Sequence, residues 1–292
     1  MRYVQLRAFH YVAVSGGFSR AAEQLYLTQP AISDQVRKLE EEYDILLFNR
    51  HKKQVSLTEQ GERLLEITRK LFDNEDQARE LLSESRATRA GTLRIIADSA
   101  QHVLVILAKF REQYPGVTVE FRAGNSETVV EQLNNYEADI GVLGEVPVSR
   151  DFETILLNVT PITAFAAARH PIAGRKKLGF RDLQDLPLVF REQGSKTRNK
   201  LETAAEAAGF QLTPAIVAEG REAVREIVAS GAGVGFVSAA EFGQDARLVR
   251  IPFETANPLM MEEALVCLRE RRSGKLVRAF VDIAQGLANP PP

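Results

Sequence analysis

A proline-free stretch from Thr58 to about Arg86 carries Leu64, Ile67, Leu71, Ala78 and Leu81 at heptad-like spacing. The pattern predicts one long helix, opened by Thr58, Glu59 and Gln60. It divides the chain, because the apolar periodicity on its two sides differs in kind. Its stripe needs cover, either from the chain's own core or from the same helix of a second copy. Asn74 in the seam suits a register-setting polar position and favours a homodimer.

Upstream, Leu6, Phe9, Val12 and Ala13 recur at helical spacing until Gly16-Gly17 stops them. Ser19 is expected to cap a second short helix with Ala21, Ala22 and Leu25 inward. Thr28 is expected to cap a third, with Pro30 tolerated in its first turn. This third helix has Ile32, Val36 and Leu39 on one stripe and Gln29, Ser33, Asp34, Arg37 and Lys38 on the remaining surface. Leu46–Phe48 and Val55–Leu57 flank Asn49 to Gln54, which fits a hairpin with a basic tip.

Downstream the grammar changes to strands alternating with helices. Leu93–Ala97, Val117–Arg122 and Asp139–Leu143 read as strands around helices ending near Tyr114 and Asn135. A second set follows: a strand over Leu188–Phe190, a helix from Lys196 to Ala208, a strand over Ala215–Ala218, a helix over Arg221–Ser230 and a strand at Gly235–Val237. This is an α/β domain with a mostly parallel sheet, in two similar lobes with a cleft between them. A last strand, Ala264–Leu268, and a helix from Gly274 to Leu287 return to complete the first lobe.

The 292 residues allow two or three compact units. A net charge of −2 would by itself argue weakly against nucleic acid, but one small basic surface can do the electrostatic work. No apolar run is long enough to span a bilayer, so no membrane partner is expected. Residues 1 to 20 carry Arg2, Arg7 and His10 without an apolar secretory core, which makes the cytoplasm the default. The single cysteine, Cys267, reads as a buried strand thiol.

The run from Gly17 through Ser19-Arg20-Ala21-Ala22, Leu27-Thr28-Gln29-Pro30-Ala31-Ile32-Ser33 and Ile32 to Glu40 resembles the signature of the LysR-type transcriptional regulators. Leu47-Phe48-Asn49-Arg50, Leu57-Thr58 and Gly61 are similar to that family's wing and linker start. The resemblance implies a winged helix-turn-helix over 1–57, a dimerisation linker helix over 58–89, and a periplasmic-binding-protein-like effector domain over 90–292. Its lobe I would comprise 90–160 and 266–292, and lobe II 161–265. The implied partners are double-stranded operator DNA, a small anionic effector and a second copy in a homodimer or homotetramer, with RNA polymerase a candidate.

A major groove about 12 Å wide accepts the third helix, N-terminal turn leading. In that pose Gln29 and Ser33 hydrogen-bond base edges, Pro30 touches a thymine methyl and Asp34 accepts from a cytosine amino group. Thr28, Arg37, Lys38 and the wing residues Arg50, Lys52 and Lys53 suit phosphates, and acidic Glu40 to Glu42 face away.

Ligands of open α/β lobes sit where strand ends meet helix N-termini. Four such junctions supply the candidate effector residues: Asp98, Ser99 and Gln101; Asn125 and Ser126; Ser195, Lys196, Thr197 and Arg198; and Glu219, before Gly220-Arg221. Gly194 to Arg198 reads either as an anion cradle or as ordinary capping with solvated charges. Pro161 and Thr163 mark the first passage between lobes, where Thr163 either lines the cleft or serves only the hinge.

Ala97-Asp98-Ser99, Gly124-Asn125-Ser126-Glu127, Gly220-Arg221-Glu222 and Leu265-Val266-Cys267-Leu268 resemble the branch of the family associated with 2-aminoethylphosphonate catabolism. Ala100-Gln101 departs from the Pro-Tyr common there. A carboxylate effector is the alternative. No catalytic residue, metal site or cofactor is expected: nucleophile-elbow and phosphate-loop motifs are absent, and His10, His51, His102 and His170 are scattered. An enzyme with a DNA-binding appendage and a purely architectural DNA-binding protein are the rival classes.

Overall fold

The computed structural model describes residues 1–49, 55–82, 91–145, 147 and 149–288, in two compact units, Met1–Leu82 and Ser83–Pro292.

In the first unit, α1 (Tyr3–Ser15), α2 (Phe18–Leu25) and α3 (Gln29–Tyr43) pack around Phe9, Val12, Ala21, Ile32, Val36 and Leu39. Burying each larger aliphatic or aromatic chain stabilises by about 1.5–3 kcal/mol. Gly16 ends α1 in the left-handed region, φ 67°. Two expected caps differ. Ser19 lies inside α2, whose N-cap is Gly17, because Phe18 already turns inward to meet the Phe48 ring at 5.6 Å. Thr28 occupies the N-cap of α3, but its hydroxyl accepts no amide there.

The hairpin strands β1 (Phe48–Asn49) and β2 (Ser56–Leu57) pair antiparallel, Phe48 opposite Leu57. Arg50, Lys52 and Lys53 at the expected basic tip lie outside the described residues. Thr58 then accepts the Gly61 amide at 3.1 Å and donates to the Leu46 carbonyl at 2.6 Å, opening α4 (Glu59–Leu82).

One face of α4 belongs to its own unit. Leu65, Thr68 and Phe72 are buried, and the Phe72 ring lies 4.6 Å from His10 and 5.8 Å from Tyr3 of α1. The heptad-like stripe lies on a different face: Leu64 is half-buried, while Ile67 and Leu71 are 63% and 38% exposed and Asn74 and Ala78 are exposed.

In the second unit, β3 (Gly91–Ala97) pairs parallel with both β4 (Val117–Ala123) and β5 (Ile140–Leu143). Helix α5 (Leu104–Gln113) packs with them in one core cluster and α6 (Ser126–Asn134) helps form a second. A 16-residue strand, β6 (Phe152–Ala167), follows. Beyond the short α7 (Phe180–Leu183), the second lobe contains β7 (Leu188–Arg191), α8 (Lys196–Ala207), β8 (Pro214–Ala218), α9 (Arg221–Ala229), β9 (Gly235–Ser238) and β10 (Leu248–Pro252). The chain ends in β11 (Met260–Leu268) and α10 (Lys275–Ala288), whose Phe280 stacks edge-on to Phe110 of α5.

The expected mostly parallel sheet is mixed. β6 runs antiparallel to β11 from Phe152 to Pro161, then antiparallel to β9 and β10 from Ile162 to Ala167. It therefore serves both lobes, with Pro161 at the change of partner. Strand β6 escapes a sequence reading because Pro161 interrupts it and its last six residues are buried on both faces, without alternation.

Candidate DNA-reading surface and effector cleft

Buried Ala21 and Ala22 let α2 lie close against α3, and the three-residue connection turns through Tyr26 at φ 55°. Ile32, Val36 and Leu39 are fixed in the core, so α3 presents its opposite side to solvent. Thr28, Gln29 and Pro30 are exposed, and Ser33 and Asp34 are half-buried beside them.

Asp34 is already engaged: its carboxylate holds Arg37 at 2.6 Å and Lys38 at 2.7 Å, and these two cations hold its carboxyl below the ordinary range. Arg37 also binds Glu41 at 2.8 Å. Two of the expected phosphate-binding cations, Arg37 and Lys38, are thus paired along their own helix. Glu41 faces outward with them, whereas Glu40 is buried and accepts the Leu47 amide at 2.8 Å and the Phe48 amide at 3.3 Å. Sequence reasoning groups Glu40 with its exposed neighbours; its spacing one residue beyond Leu39, on the edge of the buried stripe, is the signal that sets it apart.

In the second unit a cavity of about 600 Å³ opens between the lobes. Asp98, Ser99, Gln101, Thr197 and Glu219 line it. The other expected effector residues have different work. Asn125 caps α6 through Thr128 and donates to the Gln193 carbonyl at 3.1 Å. Ser126 is buried and donates to Asp98 at 3.3 Å. Thr163 is buried in the sheet, its hydroxyl donating to the Ile251 carbonyl at 2.9 Å. Ser195 is buried at the start of α8. Lys196 pairs with Glu145 at 2.5 Å on a separate depression, and Arg198 donates to Glu202 at 2.8 Å and to the Arg191 carbonyl at 3.0 Å. Of the Gly194 to Arg198 loop, Thr197 alone lines the cavity.

The N-terminus of α9 opens into the cavity. Gly220, its N-cap at φ 78°, Arg221, Glu222 and Ala223 all line it, and the N-cap glycine has no side chain of its own to cap the helix. Arg191 and Arg221 stand beside this turn. Arg191 is held by Glu192 at 2.6 Å, and Glu192 in turn accepts the Gly220 amide at 3.0 Å. Arg221 contacts Glu241 and lies 3.9 Å from Asp98. Arg225 donates to the Phe242 carbonyl at 2.6 Å.

Behind Arg221 lies a group of buried ionisable side chains that sequence reasoning missed. His102 Nε2 is 2.8 Å from Glu241 Oε1 and 3.5 Å from Glu263 Oε2. Burial lowers the His102 pKa, opposed by Glu263 and Asp98. Burial, with Asp98 nearby, pushes Glu263 up to about 7. The group joins His102 to two glutamates more than 130 positions further along the chain, so no local pattern announces it.

Among the described residues, no helix is long and apolar enough to cross a membrane. Cys267 is buried in β11, and burial pushes its thiol up to about 11.

A winged helix-turn-helix and a two-lobed unit with a cleft between its lobes, carried on one chain, define a ligand-responsive DNA-binding regulator. Residues 3–62 match the bacterial regulatory helix-turn-helix protein family of lysR type, and residues 86–288 match the LysR substrate binding domain. The chain belongs to the LysR family of transcriptional regulators, which bind DNA and carry an effector-binding domain.

Among its relatives, the RuBisCO operon transcriptional regulator of Allochromatium vinosum is 32% identical, covering 80% of this chain and 78% of that protein. The transcriptional activator CmpR of Synechocystis is 29% identical over the same shares. A full-length OxyR variant of Pseudomonas aeruginosa shares the fold at TM-score 0.76 and 22% identity, covering 98% of this chain and 95% of that one. Full-length CbnR in complex with its target DNA does so at TM-score 0.67 and 19% identity, covering 98% and 99%. The CcmR regulatory domain of Synechocystis, in complex with 2-PG, matches at TM-score 0.61 and 21% identity, over 68% of this chain and 98% of that one.

Proposed function

We propose that this regulator reads operator DNA through the N-terminal half of α3 and is controlled by a small anion bound at the start of α9. Gln29, Pro30, Ser33 and Asp34 meet base edges, and Thr28, Arg37 and Lys38 meet phosphates, joined by Arg50, Lys52 and Lys53 of the wing. With domains over 1–57, 58–89 and 90–292, the stripe of α4 pairs with the same helix of a second copy, in a homodimer or homotetramer, a reading supported by the exposure of Ile67 and Leu71.

The observation that carries the effector reading is the convergence of the α9 N-terminus with Arg191 and Arg221 on one cavity. Amides at a helix N-terminus and forked guanidinium donors both favour an anion. Asp98, Ser99, Gln101, Thr197 and Glu219 complete the lining.

CmpR and the RuBisCO operon regulators, together with the 2-PG held by CcmR, support an anionic metabolite tied to carbon assimilation as the effector. A second reading, 2-aminoethylphosphonate or a related phosphonate, is supported by the juxtaposition of Arg221 with Asp98, whose Oδ1 is buried without a hydrogen-bond partner and would accept an ammonium group.

Thermal melts with 2-PG, 2-aminoethylphosphonate and simple carboxylates test the site. A native-state ligand at 100 times its Kd adds about 2.7 kcal/mol. The expected result is a shift with one anion that Arg221→Gln abolishes; equal melts across the panel would contradict the reading.

A further inference from the structure

We propose that His102, Glu241 and Glu263 form a binding site for a divalent transition-metal cation, with Zn²⁺ as the fitting probe, that ties the two lobes together behind the effector cavity. His102 ends the short turn after β3, Glu241 ends the turn after β9, and Glu263 lies on β11 beside its irregular step in register with β6.

The donor atoms are gathered as a metal would gather them. One ligand atom from each residue lies within 4.8 Å of the others, and the His102 Nε2 separations are 2.8 and 3.5 Å. Tetrahedral ligands at 2.0–2.2 Å from a zinc ion stand roughly 3.4 Å apart. A nitrogen donor beside two carboxylates suits a borderline cation better than magnesium or calcium.

The independent observation is the want of partners. The Glu241 and Glu263 side chains are fully buried, yet Glu241 Oε2 and both Glu263 oxygens have no hydrogen-bond partner. A buried carboxylate without a partner is costly, and that cost vanishes when a cation sits between them. Glu241 Oε1 holds both Arg221 and His102 Nε2, the latter by a 2.8 Å hydrogen bond that a cation would replace, and Oε2 is the oxygen left to coordinate. With Glu263 ionised and His102 neutral, Asp98, Glu241 and Glu263 against Arg221 leave two negative charges uncompensated, which a divalent ion cancels.

Asn158 supplies the outer support. Its amide meets His102 Nδ1 at 3.1 Å, and its Oδ1 is buried without a partner. Turning the amide over lets Oδ1 accept from Nδ1–H, which leaves the Nε2 lone pair for the metal. Four histidines scattered along the sequence give no reason to expect a metal; folding brings one of them to two distant glutamates.

The test is calorimetric titration of the chelator-stripped full-length protein with Zn²⁺, with Mg²⁺ as a second arm and Co²⁺ absorption as a spectroscopic readout. One Zn²⁺ per chain is expected, with visible d–d bands for Co²⁺ and no Mg²⁺ uptake. Asn158→Ala should weaken Zn²⁺ about 10–100-fold, and Glu263→Gln and His102→Gln by more. In chelator above pH 7, Glu263→Gln should melt at or above the parent, since it removes a buried carboxylate without a hydrogen-bond partner, and Zn²⁺ should no longer raise its melting point. Absence of saturable Zn²⁺ uptake by the parent, or uptake unchanged in either variant, overturns the site; His102→Gln decides alone if Glu263→Gln does not fold. Anion-induced melting shifts are read separately in chelator, so failure here leaves the effector reading standing.

Discussion

The carboxylate of Glu40, on α3, accepts the backbone amides of Leu47 at 2.8 Å and Phe48 at 3.3 Å and so joins α3 to the start of β1. Removing it leaves buried amides without a partner, at about 1–3 kcal/mol. Glu40→Ala should lower the stability of the first unit by that amount, whereas Glu40→Gln, which keeps a carbonyl acceptor, should lose less. Urea denaturation followed by circular dichroism checks the order; equal losses would argue against the bond.

Asp34 pairs with two cations of its own helix. Asp34→Asn weakens its hold on Arg37 and Lys38, so affinity for random duplexes should rise and the slope of log K against log salt should steepen by about 1. Fluorescence anisotropy over a salt series reads both, and an unchanged slope would show that these cations do not reach phosphates.

His10 fixes a pH window. Burial, with Arg69 nearby, lowers it to about 4, from 6.5 in the unfolded chain. Between those values the unfolded state binds more protons, so stability is fully present above pH 6.5 and falls as the pH drops towards 4. Each tenfold difference in proton affinity between the folded and unfolded chain corresponds to about 1.4 kcal/mol. His10→Phe should flatten the stability of the first unit across that window, and a parent whose stability does not change there would contradict the assignment.

Ile67 and Leu71 are exposed on α4 while Leu65 and Phe72 anchor the helix at home. Ile67→Asp with Leu71→Asp should therefore leave the chain folded and shift it from dimer to monomer in sedimentation velocity. A parent that sediments as a monomer at micromolar concentration would remove the role assigned to this stripe.

Local periodicity makes much of this legible. Ile32, Val36 and Leu39 at i, i+4 and i+7 announce both the existence of α3 and its buried side, and alternating strand and helix patterns announce the α/β unit. The start of α9 is legible too, because Glu219-Gly220-Arg221 marks a strand-to-helix junction. What local pattern does not carry is juxtaposition. Ser195, Lys196 and Arg198 share a promising loop with Thr197, but the backbone turns them to the helix start, to Glu145 and to Glu202. His102, Glu241 and Glu263 meet only because β6 and β11 stitch the lobes together, and Pro161 hides the strand that does it.

Base reading by α3 is tested most directly by binding of Gln29→Ala and Ser33→Ala proteins to operator and random duplexes at matched salt. Each substitution should cost about 1–3 kcal/mol on the operator while leaving random DNA nearly unaffected. Equal losses on both duplexes, or none on the operator, would contradict the placement of α3 in the groove.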